Sequence, residues 1–363
     1  MRSTSGEHYI ALDHVRAVAT FMVFVWHFIH SHYGSPVPFE YVPSLFFLSV
    51  LDEGHTGVAL FMTLSGYLFA KLLDGKKINW PAFYWNRFLR LFPLLFIVVL
   101  VFGYRKVTDT SDPTQYLLNL HIYLNNILNS FWLPTLPNGG WSVTVEMHFY
   151  LLLPLLLLVQ GRFKYFLTGL VVAALCFRFY FYMSHGEVFS LSYWTIVGRV
   201  DQFVCGIIAF KYRHLFINRH LFAALLFLLF TLFYWTFDTG GGYHNGFNSD
   251  NNRFAWVYLP TIEAIVYSLL IAWYDNSFNH KNAGFSGFLS KIGEYSYSIY
   301  LLHVFIVFWL ARMINEKIMD ISNFYVAVLW AAACFLLMYP VGYLSFRFIE
   351  SPFLKHRKRY VKY

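Results

Sequence analysis

Charge is scarce in this sequence: Asp, Glu, Lys and Arg make up 13% of its 363 residues and apolar residues 58%, where soluble domains hold roughly a quarter charged. That shortage excludes an ordinary water-facing surface and points to lipid as the solvent. Cysteine is nearly absent. Cys176, Cys205 and Cys334 stand singly in apolar segments, which excludes a paired-cysteine metal motif or a disulfide framework and leaves them as packing residues. No metal site is expected. No cleavable signal peptide is expected, because the first apolar stretch, 10–29, lacks a small-residue cleavage site and leads into Pro and aromatics. Nor is there a basic, aromatic-interleaved soluble segment, so the net charge of +8 is assigned to membrane topology and not to nucleic acid. No internal repeat is visible, so an inverted-repeat transporter gains no direct support.

What is present is a series of apolar runs of about 17 to 25 residues, the length that crosses a hydrocarbon core ~30 Å thick. Ten spans are expected, near 9–30, 46–72, 88–104, 141–160, 164–183, 192–211, 215–236, 254–274, 293–311 and 324–346. The fold class is all-α, a polytopic helix bundle. The stretch 114–133 is broken by Asn and His and is taken as interfacial or re-entrant. Lys and Arg concentrate in alternate loops, at 71–90, 162–164, 211–219 and 281–291 and in the tail, while 31–55 and 184–191 hold none. The positive-inside rule then places both termini in the cytoplasm. The whole chain, 1–363, is one membrane domain, with a transmembrane core over 9–349 and a basic cytoplasmic tail over 350–363. The Gly- and Asn-rich stretch 237–253 is expected as an outward loop.

Ionisable groups in hydrocarbon are expensive, so each one needs a reason. Arg16 and His27 are eleven residues apart, which returns to within ~20° of the same helical face, ~16 Å further along. The bland alternatives are that Arg16 pairs with Asp13 or reaches lipid phosphate and that His27 is a packed core residue. In NGGWSVTVEMHFY (138–150) a glycine turn leads into a span. There Glu146 reaches a depth comparable with His27 and could orient it as a base, or only lock packing, with Trp141 as an interface anchor. Arg87 and Arg90, three residues apart, suit phosphate capture, although membrane anchoring alone predicts basic residues there. Ser65 and Gly66 in FMTLSGYL permit close helix approach. Tyr297, Tyr300 and His303 share one face, lining a pore or forming a hydrogen-bond ladder. Arg178, Arg199, Asp201 and Glu263 are expected to pair among themselves, in an order the sequence does not reveal.

Five segments together form a recognisable set: ALDHVRAVATFMVFVWHF (11–28), FMTLSG (61–66), RFLR (87–90), GGWSVTVE (139–146) and YSIYLLH (297–303). In this order the chain resembles acyltransferase family 3, membrane enzymes that O-acylate bacterial surface carbohydrates, from about Tyr9 to Phe353. The resemblance implies a ten-helix core that takes an acyl group, most often acetyl, from cytoplasmic acyl-CoA and delivers it to a hydroxyl of an extracytoplasmic carbohydrate such as O-antigen or exopolysaccharide. It implies an enzyme in the cell (inner) membrane, with acyl-CoA as donor substrate and no bound cofactor. Carried over residue by residue, Arg16 and His27 are the family's essential pair. Ser65 and Gly66 belong to its Phe-Phe-x-x-Ser-Gly-like motif, which here begins Phe-Met, and Arg87 and Arg90 form its Arg-x-x-Arg. Trp141, Ser142 and Glu146 match its Trp-Ser-x-x-x-Glu segment. Many relatives append an SGNH hydrolase-like domain. None is expected here, so transfer to the acceptor takes place in the membrane domain or through a separate extracytoplasmic partner.

The resulting site has His27 and Glu146 as catalytic groups. Arg16, Arg87, Arg90, Ser65, Gly66, Trp141, Ser142, Tyr300 and His303 bind acyl-CoA or acceptor. His27 acts either as general base on the acceptor hydroxyl or as a covalent acyl carrier. The alternative from a different class is an exporter or flippase of a glycan or acylated small molecule, whose path the same charges line.

Overall fold

In a membrane a chain satisfies its backbone polar groups internally, so long apolar runs fold as helices. The computed structural model describes residues 8–30, 35–108, 113–130, 136, 139–163, 165–244 and 254–362. In chain order the helices are α1 (Ile10–Ile29), the short α2 (Ser49–Asp52), α3 (Gly57–Leu73), α4 (Trp80–Thr108), α5 (Pro113–Ser130), α6 (Gly140–Arg162), α7 (Phe166–His185) and α8 (Phe189–Trp194). There follow α9 (Ile196–Lys211), α10 (His220–Thr239), α11 (Ala255–Ser277), α12 (Gly284–Glu294), α13 (Ser296–Leu302), α14 (Val307–Lys317), α15 (Phe324–Ser345) and α16 (Ser351–Leu354). Two-residue strands β1 (Lys77–Ile78) and β2 (Val361–Lys362) pair antiparallel. The protein is a multi-pass, all-α membrane bundle.

Among the described residues eight helices are long and apolar enough to cross a membrane, against ten expected. A ninth arises if Ser296–Phe305 and Val307–Lys317, which meet at a 52° bend, count as one span. The expected span 192–211 is instead α8, an extended Thr195, and then α9 of 16 residues, short of the ~20 needed to cross. Hydropathy cannot see that break, since Thr195 interrupts an otherwise apolar run; its hydroxyl caps α9 by accepting from the Gly198 backbone N–H. α4 begins at Trp80, eight residues before the span expected at 88–104. The 114–133 segment forms helix α5 against α4, joined by the Tyr123 hydroxyl to the Val99 carbonyl, and 131–133 lie outside the described residues. Of the expected loop 237–253, residues 237–239 close α10 and 245–253 lie outside the description.

Burial sorts the helices into centre and rim. α1 and the Gly54–Leu73 span are 78% buried, whereas the α7 span is 17% and the α10 span 28% buried. The central helices meet at close range because glycine permits it. A Cβ on Gly66 would stand 1.9 Å from the Phe203 carbonyl oxygen, and one on Gly206 would stand 2.1 Å from that of Thr63. α3 and α9 therefore touch backbone to backbone.

Around this contact lies a closed polar network. Arg178 reaches in from α7 to Asp201 at 2.6 Å, both fully buried, and also donates to the Val257 and Gly198 carbonyls and to Thr261. Arg199 bonds Gln202 at 3.1 Å, and Gln202 bonds Glu263 at 3.0 Å. Thr56 and Tyr234 donate to the other Glu263 oxygen. The four in-span charges thus pair as expected in part: Arg178 with Asp201 directly, Arg199 with Glu263 only through Gln202.

The end of the chain does not hang free. After α15 the helix widens into a π-turn, Phe346–Glu350, and residues to Lys362 fold back across the start of α4. The Asn86 side chain holds the Lys358 backbone on both sides, donating to its carbonyl at 2.7 Å and accepting from its N–H at 2.8 Å. The Asn79 N–H donates to the Tyr360 carbonyl at 2.8 Å.

Candidate active site

A cavity of about 160 Å³ opens between α1, α3, α4, α6, α13 and the returning C-terminal segment. One end is basic. Arg87 packs its guanidinium over the rings of Phe69 at 5.2 Å, Phe83 at 5.6 Å and Tyr150 at 5.9 Å, within cation–π range. Its Nε is buried without a hydrogen-bond partner among the described residues. Arg90, one turn on, pairs with the buried Glu350 at 3.1 Å and lies over Tyr297 at 5.6 Å. Arg357 lines the same space, its Nε donating to the Leu354 carbonyl at 3.0 Å. Burial lowers the Arg357 guanidinium below its ordinary value, and the neighbouring charges of Arg90 and Arg87 lower it further. Arg16 lines the cavity as well, paired with Asp13 on its own helix.

Further in, the wall carries hydroxyls and one carboxylate. Ser65 donates to Glu146 at 3.0 Å, and the Tyr150 hydroxyl donates to the same oxygen. Ser142 lies 2.9 Å from the Tyr300 hydroxyl and donates to the Gly139 carbonyl at 2.9 Å. Gly139, the residue just before α6, has φ 75°, and a Cβ there would meet the Tyr300 hydroxyl at 2.9 Å. The glycine turn therefore sets Ser142 and Tyr300 against each other.

Beyond Tyr300 lies a pair of imidazoles at the bend between α13 and α14. His303 Nε2 is 3.3 Å from His27 Nδ1, and the ring centroids are 4.9 Å apart. The remaining contacts set a consistent tautomer pattern. His303 Nδ1 donates to the Tyr300 carbonyl at 2.5 Å, leaving its Nε2 to accept; His27 Nδ1 donates toward that nitrogen and toward the Val23 carbonyl at 2.8 Å. In this pattern His27 Nδ1 carries the proton.

Several expectations need correction. Glu146 does not orient His27: its carboxylate is engaged by Ser65 and Tyr150, and the group facing His27 is His303. Sequence reasoning matched the two by depth, but depth says nothing about which way each helix turns its face. Gly66 contacts α9 instead of the cavity. Trp141 packs on Tyr193 at 5.0 Å and Trp194 at 4.7 Å, under the Arg199 guanidinium, away from the lining. Among the described lining residues, Arg16, Ser65, Arg87, Arg90, Ser142, Glu146 and Tyr300 are present, and His27 and His303 are not. Within the 350–363 segment, expected as a basic cytoplasmic tail, Arg357 and Tyr360 line the cavity.

Two cavity-lining positions escaped the sequence reading. Tyr150 follows Glu146 by one turn, a spacing that could have flagged it. Arg357 carried no signal beyond the positive-inside pattern it shares with its neighbours.

Comparison with known proteins identifies the family. A family model described as an acyltransferase domain (Acyl_transf_3) matches residues 9–347. Peptidoglycan O-acetyltransferase OatA of Listeria monocytogenes is 25% identical over 344 residues, covering 84% of this chain and 52% of the relative. O-acetyltransferase OatA of Staphylococcus aureus is 24% identical over 348 residues, covering 84% and 53%. Nodulation protein 10 of Rhizobium leguminosarum bv. viciae is 27% identical over 158 residues, 38% of this chain and 41% of that one. The chain spans about half the length, or less, of these relatives. No solved structure matches. With the family model covering the chain from α1 into the π-turn after α15, the protein belongs to the acyltransferase 3 family.

Proposed function

We propose that this protein is a membrane O-acyltransferase that moves an acyl group, acetyl in the simplest case, from cytoplasmic acyl-CoA to a hydroxyl of an extracytoplasmic carbohydrate. The observation that carries the reading is one cavity with arginines at one end and hydroxyls and a carboxylate along its wall, leading toward paired imidazoles. Two relatives are named as O-acetyltransferases, one of them for peptidoglycan, which supports a surface glycan as acceptor. The membrane is the cell (inner) membrane, both termini are cytoplasmic, and the basic end of the cavity faces acyl-CoA.

In the proposed reaction Arg87 and Arg90 hold donor phosphates by charge-assisted hydrogen bonds and the thioester extends past Ser65 and Glu146. The acceptor hydroxyl enters from the His27 side. His27 Nε2 takes its proton as the oxygen attacks the thioester carbonyl; the C–S bond breaks, and the proton passes to the departing thiolate. His303, bonded to the Tyr300 carbonyl, holds the His27 ring and takes the orienting part first assigned to Glu146. Glu146 is a positioning residue for Ser65 and an anionic counterweight to the arginines.

The test is to incubate membranes containing the protein with acetyl-CoA labelled in its acetyl group and to recover carbohydrate. Covalent label in the glycan is expected. Movement of glycan or acyl donor across the bilayer with no covalent label would overturn the reading in favour of an exporter.

A further inference from the structure

The cavity and the imidazole pair do not meet in this structure. Tyr300 and Phe61 line the cavity, and among the described lining residues His27 and His303 are absent. One ring stands at the boundary. The Tyr300 ring has Phe61, on the cavity side, edge-on at 5.8 Å and 74°, and has His303, outside the lining, also at 5.8 Å. Tyr300 is 7% and His303 1% exposed, whereas His27, near the outer end of α1, is partly exposed.

That ring is held in place from several elements. It stands on α13, seven residues long, just before the 52° bend into α14. Its hydroxyl lies 2.9 Å from that of Ser142 and 3.4 Å from the Gly139 carbonyl oxygen, so the start of α6 fixes its tip. Its backbone carbonyl accepts from His303 Nδ1. A Cβ on Gly139 would come within 3.0 Å of ring atoms Cε1 and Cζ, so a side chain there would push the ring out of position.

A partition at this point has a chemical use. A thioester within reach of His27 is open to any water that His27 activates: the water oxygen attacks the carbonyl carbon, the C–S bond breaks, one proton passes through His27 to the departing thiolate, and acetic acid and CoA result. Transfer to carbohydrate differs only in which oxygen attacks. Active sites suppress such loss by keeping water from the reactive group until the proper acceptor is in place. We infer that the Tyr300 ring, braced by Phe61 and tied to Ser142, is a specificity-determining partition that keeps the donor thioester from water activated at His27 until the acceptor turns the ring aside. This rests on the function proposed above.

The experiment gives the purified full chain, in nanodiscs without carbohydrate, acetyl-CoA labelled in its acetyl group and measures released labelled acetate; transfer is measured in membranes that contain the protein and glycan. Tyr300→Ala is expected to raise acceptor-free hydrolysis about tenfold or more, a part of the 10²- to 10⁴-fold that a general base supplies, and to raise hydrolysis relative to transfer. Tyr300→Phe, which keeps the ring, is expected to keep hydrolysis low. Adding His27→Ala to Tyr300→Ala removes the excess. Phe61→Ala moves the ratio the same way by a smaller factor and carries the test if Tyr300→Ala does not insert. Unchanged hydrolysis in whichever of these two variants inserts would overturn the inference, as would an excess that persists without His27. An equal rise in Tyr300→Phe would overturn the part given to the ring. If the wild type transfers label to glycan and the trimmed variants hydrolyse no faster, the partition alone fails; if the wild type transfers no label, the proposed function fails with it.

Discussion

Two groups of arginines sit within this bundle and differ in who satisfies them. Arg178 and Arg199 are 0% and 1% exposed, and their hydrogen bonds are met by the chain itself, from Asp201, Thr261 and Gln202 and from the backbone carbonyls of Val257, Gly198 and Tyr193. Arg87, Arg90 and Arg357 instead line a cavity, where Arg90 pairs with Glu350 and Arg87 keeps a buried Nε without a partner among the described residues. The first group crosslinks helices; the second lines the cavity. Expense in lipid is common to both, so expense alone does not mark a site. The source of the partners does.

Changing His27 should produce the largest effect and show that chemistry depends on neither arginine group. His27→Ala is expected to lower acetyl transfer about 10²- to 10⁴-fold, the usual worth of a general base, with membrane insertion and acetyl-CoA affinity retained. Label transfer per unit of inserted protein measures it, and transfer at the wild-type rate would remove His27 from the mechanism. Next comes the closed network. Arg178→Met leaves Asp201 buried and unpaired, a loss of about 3 to 5 kcal/mol. It should appear as a lowered melting temperature and poor yield, while the fraction that folds keeps its acetyl-CoA affinity. A normal melting temperature would erase the distinction between the two groups.

The open group should behave the other way round. Arg87→Gln is expected to raise the acetyl-CoA Kd about tenfold at an unchanged melting temperature, since the lost bonds are made to the ligand. A destabilised protein with normal affinity would move Arg87 into the structural set. The smallest effect is expected at the inner end of the cavity. Tyr300→Phe removes the hydroxyl contact with Ser142, worth about 1 kcal/mol, and should change transfer by no more than about fivefold, with donor affinity intact. A loss as deep as that of His27→Ala would make the Tyr300 hydroxyl a participant in the reaction.

How much of this was legible from residues alone follows from which physical signal each feature leaves. Span existence was readable, because runs such as Phe166–His185 and Phe324–Ser345 are uniformly apolar over the needed length. The split of 192–211 at Thr195 was not, because one polar residue barely alters a window average. Arg16, Arg87, Arg90, Ser65, Ser142, Glu146 and Tyr300, which the resemblance to a family names one short motif at a time, all line one cavity. Partner choice was not anticipated. Whether Glu146 meets His27 or Ser65 depends on helix rotation, and two helices of equal depth permit either. Arg357 was hidden for another reason: in a chain with a basic cytoplasmic side, one more basic residue carries no information until the backbone around it is seen to fold back.

The glycine contact between α3 and α9 has a mechanical consequence. With Gly66 against the Phe203 carbonyl and Gly206 against that of Thr63, neither helix can slide or roll on the other without a backbone clash. Ser65, one residue away, therefore belongs to a stiff half of the molecule that also contains the closed arginine network. Any opening that admits a donor or passes an acyl group must come from the opposite wall, made of α4, α6 and the bent α13–α14 pair. Amide exchange should accordingly be slow along α3 and α9 whether or not ligand is bound, and should respond to ligand on the far side of the cavity.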